Sequence, residues 1–304
     1  MSGSVQTIPT MCPMNCDPTQ CGMLVEVEDG RLVGVKGNKD HPDSQGFLCV
    51  RGQASRQIIG NPKRILKPMI RDRRSDDAWR EASWDEVLDL IAERIGAVGR
   101  ERTAVWQGHG NIANSYGVFT GLFLVTRFTN LSGLQNWSPA MICWGLGGFC
   151  ISLTGATEIN TKEDMAENAN LVIMWGANLA SQPNTARHLV AAKRRGTKII
   201  TVDVRPTEAA AQSDEVLLIR PGSDAALALA MMHVIITEQL FDAGFVAEHT
   251  VGFDELAAHV QKFSPEWAAS ETGIDAGRIT ALARNYATTQ PGMILLGGSS
   301  MHKS

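Results

Sequence analysis

Long apolar runs are missing from this sequence. The longest, Ala225 to Ile236, is twelve residues and is interrupted by His233, whereas a bilayer-spanning helix needs about 20, so no membrane span is expected. Neither charge sign dominates. With 28 Lys and Arg against 32 Asp and Glu and a net charge of -4, no chain-wide basic field exists to attract a polyanion, and no nucleic-acid partner is expected. The opening stretch has no basic segment leading into an apolar one and no twin arginine, which makes the reducing cytoplasm the expected compartment. A G-x-G-x-x-G fingerprint is absent, which argues against an NAD site of the Rossmann type.

What is present describes a globular chain. Its 304 residues are 44% hydrophobic and 20% charged, enough apolar material for a sizeable core and about two domains. The six cysteines are unevenly placed: Cys12, Cys16, Cys21 and Cys49 lie in the first sixth, and Cys143 and Cys150 stand apart. In a reducing compartment such a cluster points to metal binding or catalysis rather than to disulfides. The spacing is C-x3-C-x4-C-x27-C, three thiols from one tight loop and a fourth returning from a distance. Four thiolates suit either a tetrahedral zinc or an iron–sulfur cubane. Structural zinc favours two short paired spacings, so the single late ligand favours the cubane. Between the third and fourth cysteines, Met23–Val27 and Arg31–Lys36 alternate as strands around Glu28-Asp29-Gly30, and the Asp-Gly pair predicts a hairpin.

These residues carry a resemblance. The stretch CPMNCDPTQCGMLVEVEDGRLVGVKGNKDHPDSQGFLCVRG resembles the N-terminal 4Fe–4S module of the molybdenum and tungsten oxidoreductases with a bis-molybdopterin guanine dinucleotide (bis-MGD) cofactor, the dimethyl sulfoxide reductase family. The resemblance implies that Cys12, Cys16, Cys21 and Cys49 ligate the cluster. It also implies that Arg51, in C-V-R-G, stands between cluster and pterin, where a fixed cation stabilises added electron density; read alone, Arg51 is an ordinary surface arginine. In AMICWGLGGFC, Cys143 alone reads as a buried core thiol. The family places its ligand to Mo or W at this point, which makes Cys143 the implied metal thiolate and a catalytic residue with Arg51. Formate dehydrogenases of the family carry His at the following position, where this chain has Trp144.

The remaining sequence predicts an α/β body. Asn61–Trp79 is a connector rich in Pro and charge, and Ser83-Trp84-Asp85-Glu86 is a capping box opening an amphipathic helix that is expected to pack on a sheet. A strand at Thr103–Gln107, a glycine loop around His109 and an apolar helix from Tyr116 to Leu131 follow. From Leu171 the alternation is regular: strands at Leu171–Trp175, Lys198–Asp203, Glu215–Ile219 and Met293–Leu296, with helices at Asn184–Arg195, Asp224–Gln239 and Arg278–Thr288. Alternating strands and helices predict a parallel sheet covered on both faces, with ligands at the carboxyl ends of its strands. Three loops fall there: Gly176-Ala177-Asn178, Asp203-Val204-Arg205-Pro206, and Arg220-Pro221-Gly222-Ser223-Asp224. Singly, Asn178 reads as a turn residue, Asp203 as a loop cap and Asp224 as a helix cap. Together the segments resemble the family's pterin-dinucleotide domain, which makes Gly176, Asn178, Asp203, Arg205, Gly222 and Asp224 the implied cofactor contacts.

The expected organisation is a β-rich iron–sulfur domain at 1–60, the first segment of a discontinuous α/β domain at 61–138, a Rossmann-like MGD-binding domain at 139–292, and the start of a return to the second domain at 293–304. An apolar strand followed by ILLGGSSMHKS, with no crossover helix, makes the chain look truncated, to be completed by a C-terminal half or a partner subunit that exchanges electrons. The implied activity passes electrons between a small substrate, thiosulfate, polysulfide or formate, and the 4Fe–4S cluster. The alternatives are a non-redox tungsten hydratase of acetylene-hydratase type, and a non-catalytic iron–sulfur or zinc docking module.

Overall fold

The computed structural model describes residues 4–14, 16, 21–72, 77–106, 118–137 (backbone only for 118–123), 149–150, 152–153, 155 and 160–297. Contacts divide the chain into two compact units, Met1–Met141 and Ile142–Ser304.

The first unit begins with an antiparallel sheet in the order β1-β2-β3, formed by β1 (Gln6–Met11), β2 (Gly22–Glu28) and β3 (Arg31–Gly37). The hairpin turn is at the expected place: Asp29 and Gly30 take φ values of 47° and 75°, the left-handed pair that matches the twist of the flanking strands. A register shift between Glu26 and Val27 inserts a bulge. β1 contains Pro9, which removes a backbone donor and is tolerated because β1 lies at the sheet edge. Two short helices, Val50–Ala54 and Arg56–Ile59, follow the return loop.

Further along, β4 (Met69–Ile70) pairs antiparallel with β5 (Arg80–Glu81), and β6 (Ala104–Trp106) pairs parallel with β7 (Gln135–Trp137). Helix Trp84–Val98 starts where expected: Ser83 Oγ accepts from the Glu86 N–H at 3.1 Å. The Glu86 carboxylate pairs with Arg80 at 2.6 Å. Packing of this helix on a sheet is not seen among the described residues, where none of its residues is buried and Leu88, Ile91 and Val98 are exposed.

The second unit is a four-stranded, wholly parallel sheet in the order β10-β9-β8-β11, formed by β8 (Leu171–Trp175), β9 (Lys198–Asp203), β10 (Glu215–Leu218) and β11 (Gly292–Leu296). Its middle strand β8 is buried at every residue, as a continuous apolar run covered on both faces must be. Alternation then sorts the side chains. Leu171, Ile173 and Trp175 meet Leu227, Met231, Val234, Ile279 and Leu282 on one face. Val172 and Met174 meet Met165, Leu179, Leu189 and Ile199 on the other. Helix Pro183–Arg195 ends at Gly196, whose φ of 99° closes it in the left-handed conformation.

Helix Asp224–Thr237 is apolar around most of its circumference because three neighbours pack on it, Phe253–Val260, Pro265–Thr272 and Ala276–Thr288. His233 within it is a core-side histidine, with Nδ1 at 2.9 Å from the Val260 carbonyl. Among the described residues no helix is long and apolar enough to cross a membrane.

Leu227 is fully buried between this helix and the sheet. Leu227→Ala therefore lowers the stability of the second unit by about 3 kcal/mol, measured by urea unfolding of the purified protein; a loss below about 1 kcal/mol contradicts this packing.

Candidate functional site

Two groups of residues carry chemistry, one in each unit. In the first, the strands hold a cysteine loop closed at its base: the Cys12 N–H donates to the Cys21 carbonyl at 2.8 Å. The loop from Asn38 to Gly46 then grips the residue after Cys21 from both sides. Asn38 N–H donates to the Gly22 carbonyl at 2.9 Å, and the Gly22 N–H donates to the buried Ser44 Oγ at 3.0 Å. His41 Nδ1 accepts from the Ser44 N–H at 3.1 Å. A backbone amide always donates, so the ring proton of neutral His41 sits on Nε2. A Cβ on Gly22 would lie 2.5 Å from His41, so this close approach requires glycine.

Cys49 arrives at the start of helix Val50–Ala54. Gly52 packs against the loop, where a Cβ would come to 3.2 Å from Cys12 Sγ. The Arg51 guanidinium donates to Cys16 Sγ at 3.5 Å. Cys12 and Cys21 feel the charge of the other thiols. Burial, with Cys12, Cys49 and Asp43 nearby, pushes the Cys21 thiol up to about 11. Burial also raises Cys12, helped by Cys16 and Cys49. At Cys49 burial acts upward too, but the N–H groups of Gly52 and Arg51 and the Arg51 side chain outweigh it, and the net shift is downward.

The structure thus brings together Cys12, Cys16, Cys21, Cys49 and Arg51. No disulfide joins the described cysteines, and among the described residues no three His, Cys, Asp or Glu side chains form a single-ion site. A set of four soft donors with a small residue, Gly52, beside it fits an iron–sulfur cluster in donor chemistry. Cys143 lies outside the described residues.

In the second unit the predicted residues all fall at or just beyond the carboxyl ends of β8, β9 and β10. β8 and β11 are adjacent but are joined through the rest of the unit, so the strand order reverses between them, which is the switch point where open parallel sheets bind ligands. Gly176 leaves β8 with a φ of 58°, and its N–H donates to the Val202 carbonyl at 2.8 Å. Asn178 caps the short helical turn Leu179–Ser181 through Oδ1, 3.3 Å from the Ala180 N–H, while its Nδ2 donates to Glu208 at 2.6 Å. Asp203 Oδ1 accepts from the Val204 and Arg205 N–H groups at 2.7 and 3.3 Å. Arg205 helps, after the Glu208 N–H and Asn178, to hold the Glu208 carboxyl below its usual range. Gly222 takes a φ of 86°, and Asp224, nearly buried, accepts from Trp175 Nε1 at 2.8 Å.

Sequence reasoning missed Glu208 and Trp175. Glu208 is one position beyond Thr207 in the same strand-end loop as Asp203, and its acidic character next to Arg205 was the available signal. Trp175 reads as a sheet residue, and no local pattern announces its bond to a residue 49 positions away.

A wholly parallel α/β sheet with polar residues beyond its strand ends, in a chain that also gathers thiols on a small β-module, is the architecture of a nucleotide-binding type of α/β protein with an added cysteine domain. The comparisons are more specific. Residues 64–303 match the molybdopterin oxidoreductase family and residues 5–61 its Fe4S4 domain, so the chain belongs to the molybdopterin oxidoreductases, a family built on molybdopterin with Mo or W and a 4Fe–4S cluster. It is 31% identical to the probable oxidoreductase YoaE of Bacillus subtilis over 96% of this chain and 43% of that protein. It is 30% identical to the thiosulfate reductase molybdopterin-containing subunit PhsA of Salmonella typhimurium over 98% of this chain and 38% of that one. The solved structure of acetylene hydratase from Pelobacter acetylenicus aligns with a TM-score of 0.77 at 32% identity, covering 95% of this chain and 40% of that chain. The chain thus spans about two fifths of the length of these relatives.

Two outcomes follow. In cluster-free protein near pH 7, a thiol with a pKa of about 11 is ionised in about one molecule in ten thousand, so iodoacetamide labels Cys49 well before Cys21; peptide mapping that finds Cys21 first contradicts the geometry. Trp175→Phe leaves the Asp224 carboxylate buried without its indole donor and costs about 1–3 kcal/mol, read as a lower unfolding midpoint.

Proposed function

We propose that this chain is the cofactor-holding portion of the catalytic subunit of a molybdenum or tungsten bis-MGD oxidoreductase that passes electrons between a small substrate and a 4Fe–4S cluster. The gathering of Cys12, Cys16, Cys21 and Cys49 around Arg51 carries this reading. These four cysteines ligate the cluster. Arg51 donates to the sulfur of Cys16 and offsets the negative charge that the cluster gains on reduction. Cys143 supplies the thiolate ligand to the metal. When bound, the pterin centre supplies two-electron chemistry and the cluster one-electron transfer.

The strand-end residues bind the dinucleotide. Gly176 and Gly222 let backbone approach it closely, Asn178 and Asp203 meet its ribose or base edge, Arg205 pairs with phosphate, and Asp224, held by Trp175, presents a fixed carboxylate. A reducing compartment such as the cytoplasm suits four cysteines kept for metal, and an electron-exchanging partner subunit would receive or supply the electrons. Thiosulfate or polysulfide is the favoured substrate, on the likeness to the Salmonella enzyme; Trp144 disfavours formate. A second reading, non-redox hydration, is favoured by the alignment with acetylene hydratase.

Anaerobically purified full-length protein is expected to contain about four irons per chain, together with Mo or W and pterin. Cys49→Ser is expected to abolish the broad visible absorbance of the cluster; an unchanged spectrum overturns the ligand set. Dye reduction that depends on thiosulfate, polysulfide or formate supports the redox reading, and acetaldehyde formed from acetylene without net dye turnover supports hydration.

A further inference from the structure

The loops that follow β8 and β9 meet in a polar bridge: Asn178 Nδ2 donates to the Glu208 carboxylate at 2.6 Å. The backbone under each partner is fixed without it. Asn178 lies between the buried Ala177 and Leu179, and Glu208 between the buried Thr207 and Ala209. Ala177, Leu179 and Ala209 belong to one apolar cluster. Thr207 Oγ1 accepts from the Ala210 N–H at 3.2 Å, the Thr207 carbonyl accepts from the Ala211 N–H at 3.2 Å, and the Gly176 N–H ties the end of β8 to the Val202 carbonyl of β9 at 2.8 Å. Packing and main-chain bonds thus hold the two loops together. What the bridge, with its exposed carboxylate, adds is the direction in which the Asn178 amide faces. A carboxylate only accepts and a backbone N–H only donates. The amide nitrogen must therefore face Glu208, and the amide oxygen the Ala180 N–H at 3.3 Å; turned over, both contacts become repulsive. Glu208 keeps its charge at neutral pH, because its own N–H, Asn178 and Arg205 hold its carboxyl below the usual range. One N–H of Asn178 and one lone pair on its oxygen are left for a ligand.

We propose that Glu208 is the positioning residue for Asn178: by accepting from Nδ2 it holds the amide in the one orientation that leaves its second N–H for the dinucleotide, and it acts on the cofactor through Asn178 rather than by touching it. The inference rests on the reading of the strand-end loops as the dinucleotide site. A side chain ordered before its ligand arrives loses less freedom on binding. Removing Glu208 therefore weakens the hold on the cofactor while the fold, secured by the buried residues on either side, stays intact. Glu215 provides the control. It opens β10 at the other end of its strand and pairs with Arg278 at 3.0 Å, so its removal deletes a carboxylate of the same unit without touching Asn178.

The test uses the full-length holoprotein, purified anaerobically. Protein-bound dinucleotide is followed through prolonged dialysis as the guanosine monophosphate that acid liberates from it, and the unfolding midpoint is measured on each sample before dialysis. Glu208→Ala is expected to lose nucleotide about five-fold faster than wild type with its midpoint unchanged. Glu208→Gln, whose amide oxygen still accepts from Asn178, is expected to retain nucleotide as wild type does, and so is Glu215→Ala. Asn178→Ala is expected to speed the loss, and Glu208→Ala added to it to give no further increase, because the residue through which Glu208 acts is gone. Wild-type retention in Glu208→Ala overturns the proposal, and so does equally fast loss in Glu215→Ala. Loss from Glu208→Gln as fast as from Glu208→Ala, or additive effects in the double variant, also overturns it, because Glu208 would then be acting on the cofactor directly. A lowered midpoint in Glu208→Ala overturns it too, since the bridge would then be holding the loops. Wild-type protein without nucleotide, or wild-type retention in Asn178→Ala, instead refutes the strand-end reading on which the proposal stands.

Discussion

Bringing a cysteine back across 27 intervening residues to a loop of three others is the constraint on which the N-terminal module depends. Ionised thiols repel, and burial raises the cost of ionising them, which is why Cys12 and Cys21 are pushed upward. The polypeptide meets that cost with main-chain geometry. The hairpin at Asp29-Gly30 reverses the chain, the Asn38–Gly46 turn locks onto both backbone atoms of Gly22, and Cys49 enters where the N–H groups of Arg51 and Gly52 reach its sulfur. Arg51 then supplies a fixed positive charge that acts on Cys12 and Cys49.

The second unit solves a different problem, that of presenting polar groups at the end of a strand that is apolar throughout. β8 is buried along its length, so its last residue is where an apolar interior gives way to polar loops. Trp175 spans that change: its ring belongs to the core cluster of Leu227 and Ile279, and its N–H reaches the carboxylate that opens helix Asp224–Thr237 beyond β10. The strand order reverses between β8 and β11, the position at which open parallel sheets take ligands.

Much of this architecture was legible from residue order. The bounds of β8 and β9 agree with expectation residue for residue, because a buried parallel strand is an uninterrupted apolar run bounded by polar residues. The hairpin was equally plain from Asp-Gly. β1 was not foreseen: Pro9 argues against a strand, all six of its residues are exposed, and only pairing with β2 makes it one. Helices Ala243–His249, Phe253–Val260 and Pro265–Thr272 were also missed. Each is a turn or two long, so periodicity hardly registers, although the caps Asp242 and Ser264 are visible in the sequence. The expectation that Trp84–Val98 packs on a sheet depended on amphipathicity alone, which shows that a helix has an apolar face and not what covers it. For the site, the cysteine spacing carried the cluster, whereas Asn178–Glu208 and Trp175–Asp224 join residues 30 and 49 positions apart and become visible only once the chain is folded.

The structural bonds of the strand-end residues leave room for the proposed cofactor role. Asp203 does cap its loop, Asn178 does cap a turn, and Asp224 is already bonded to Trp175. A carboxylate offers about four acceptor sites on two oxygens, and the bonds seen at Asp203 and Asp224 each use one oxygen, so holding the backbone does not exhaust either group. A side chain fixed in this way loses little further conformational freedom when a ligand arrives, and the ordering cost that would weaken binding has been met during folding. Residues that cap their own loops are thus the ones best suited to hold a cofactor permanently.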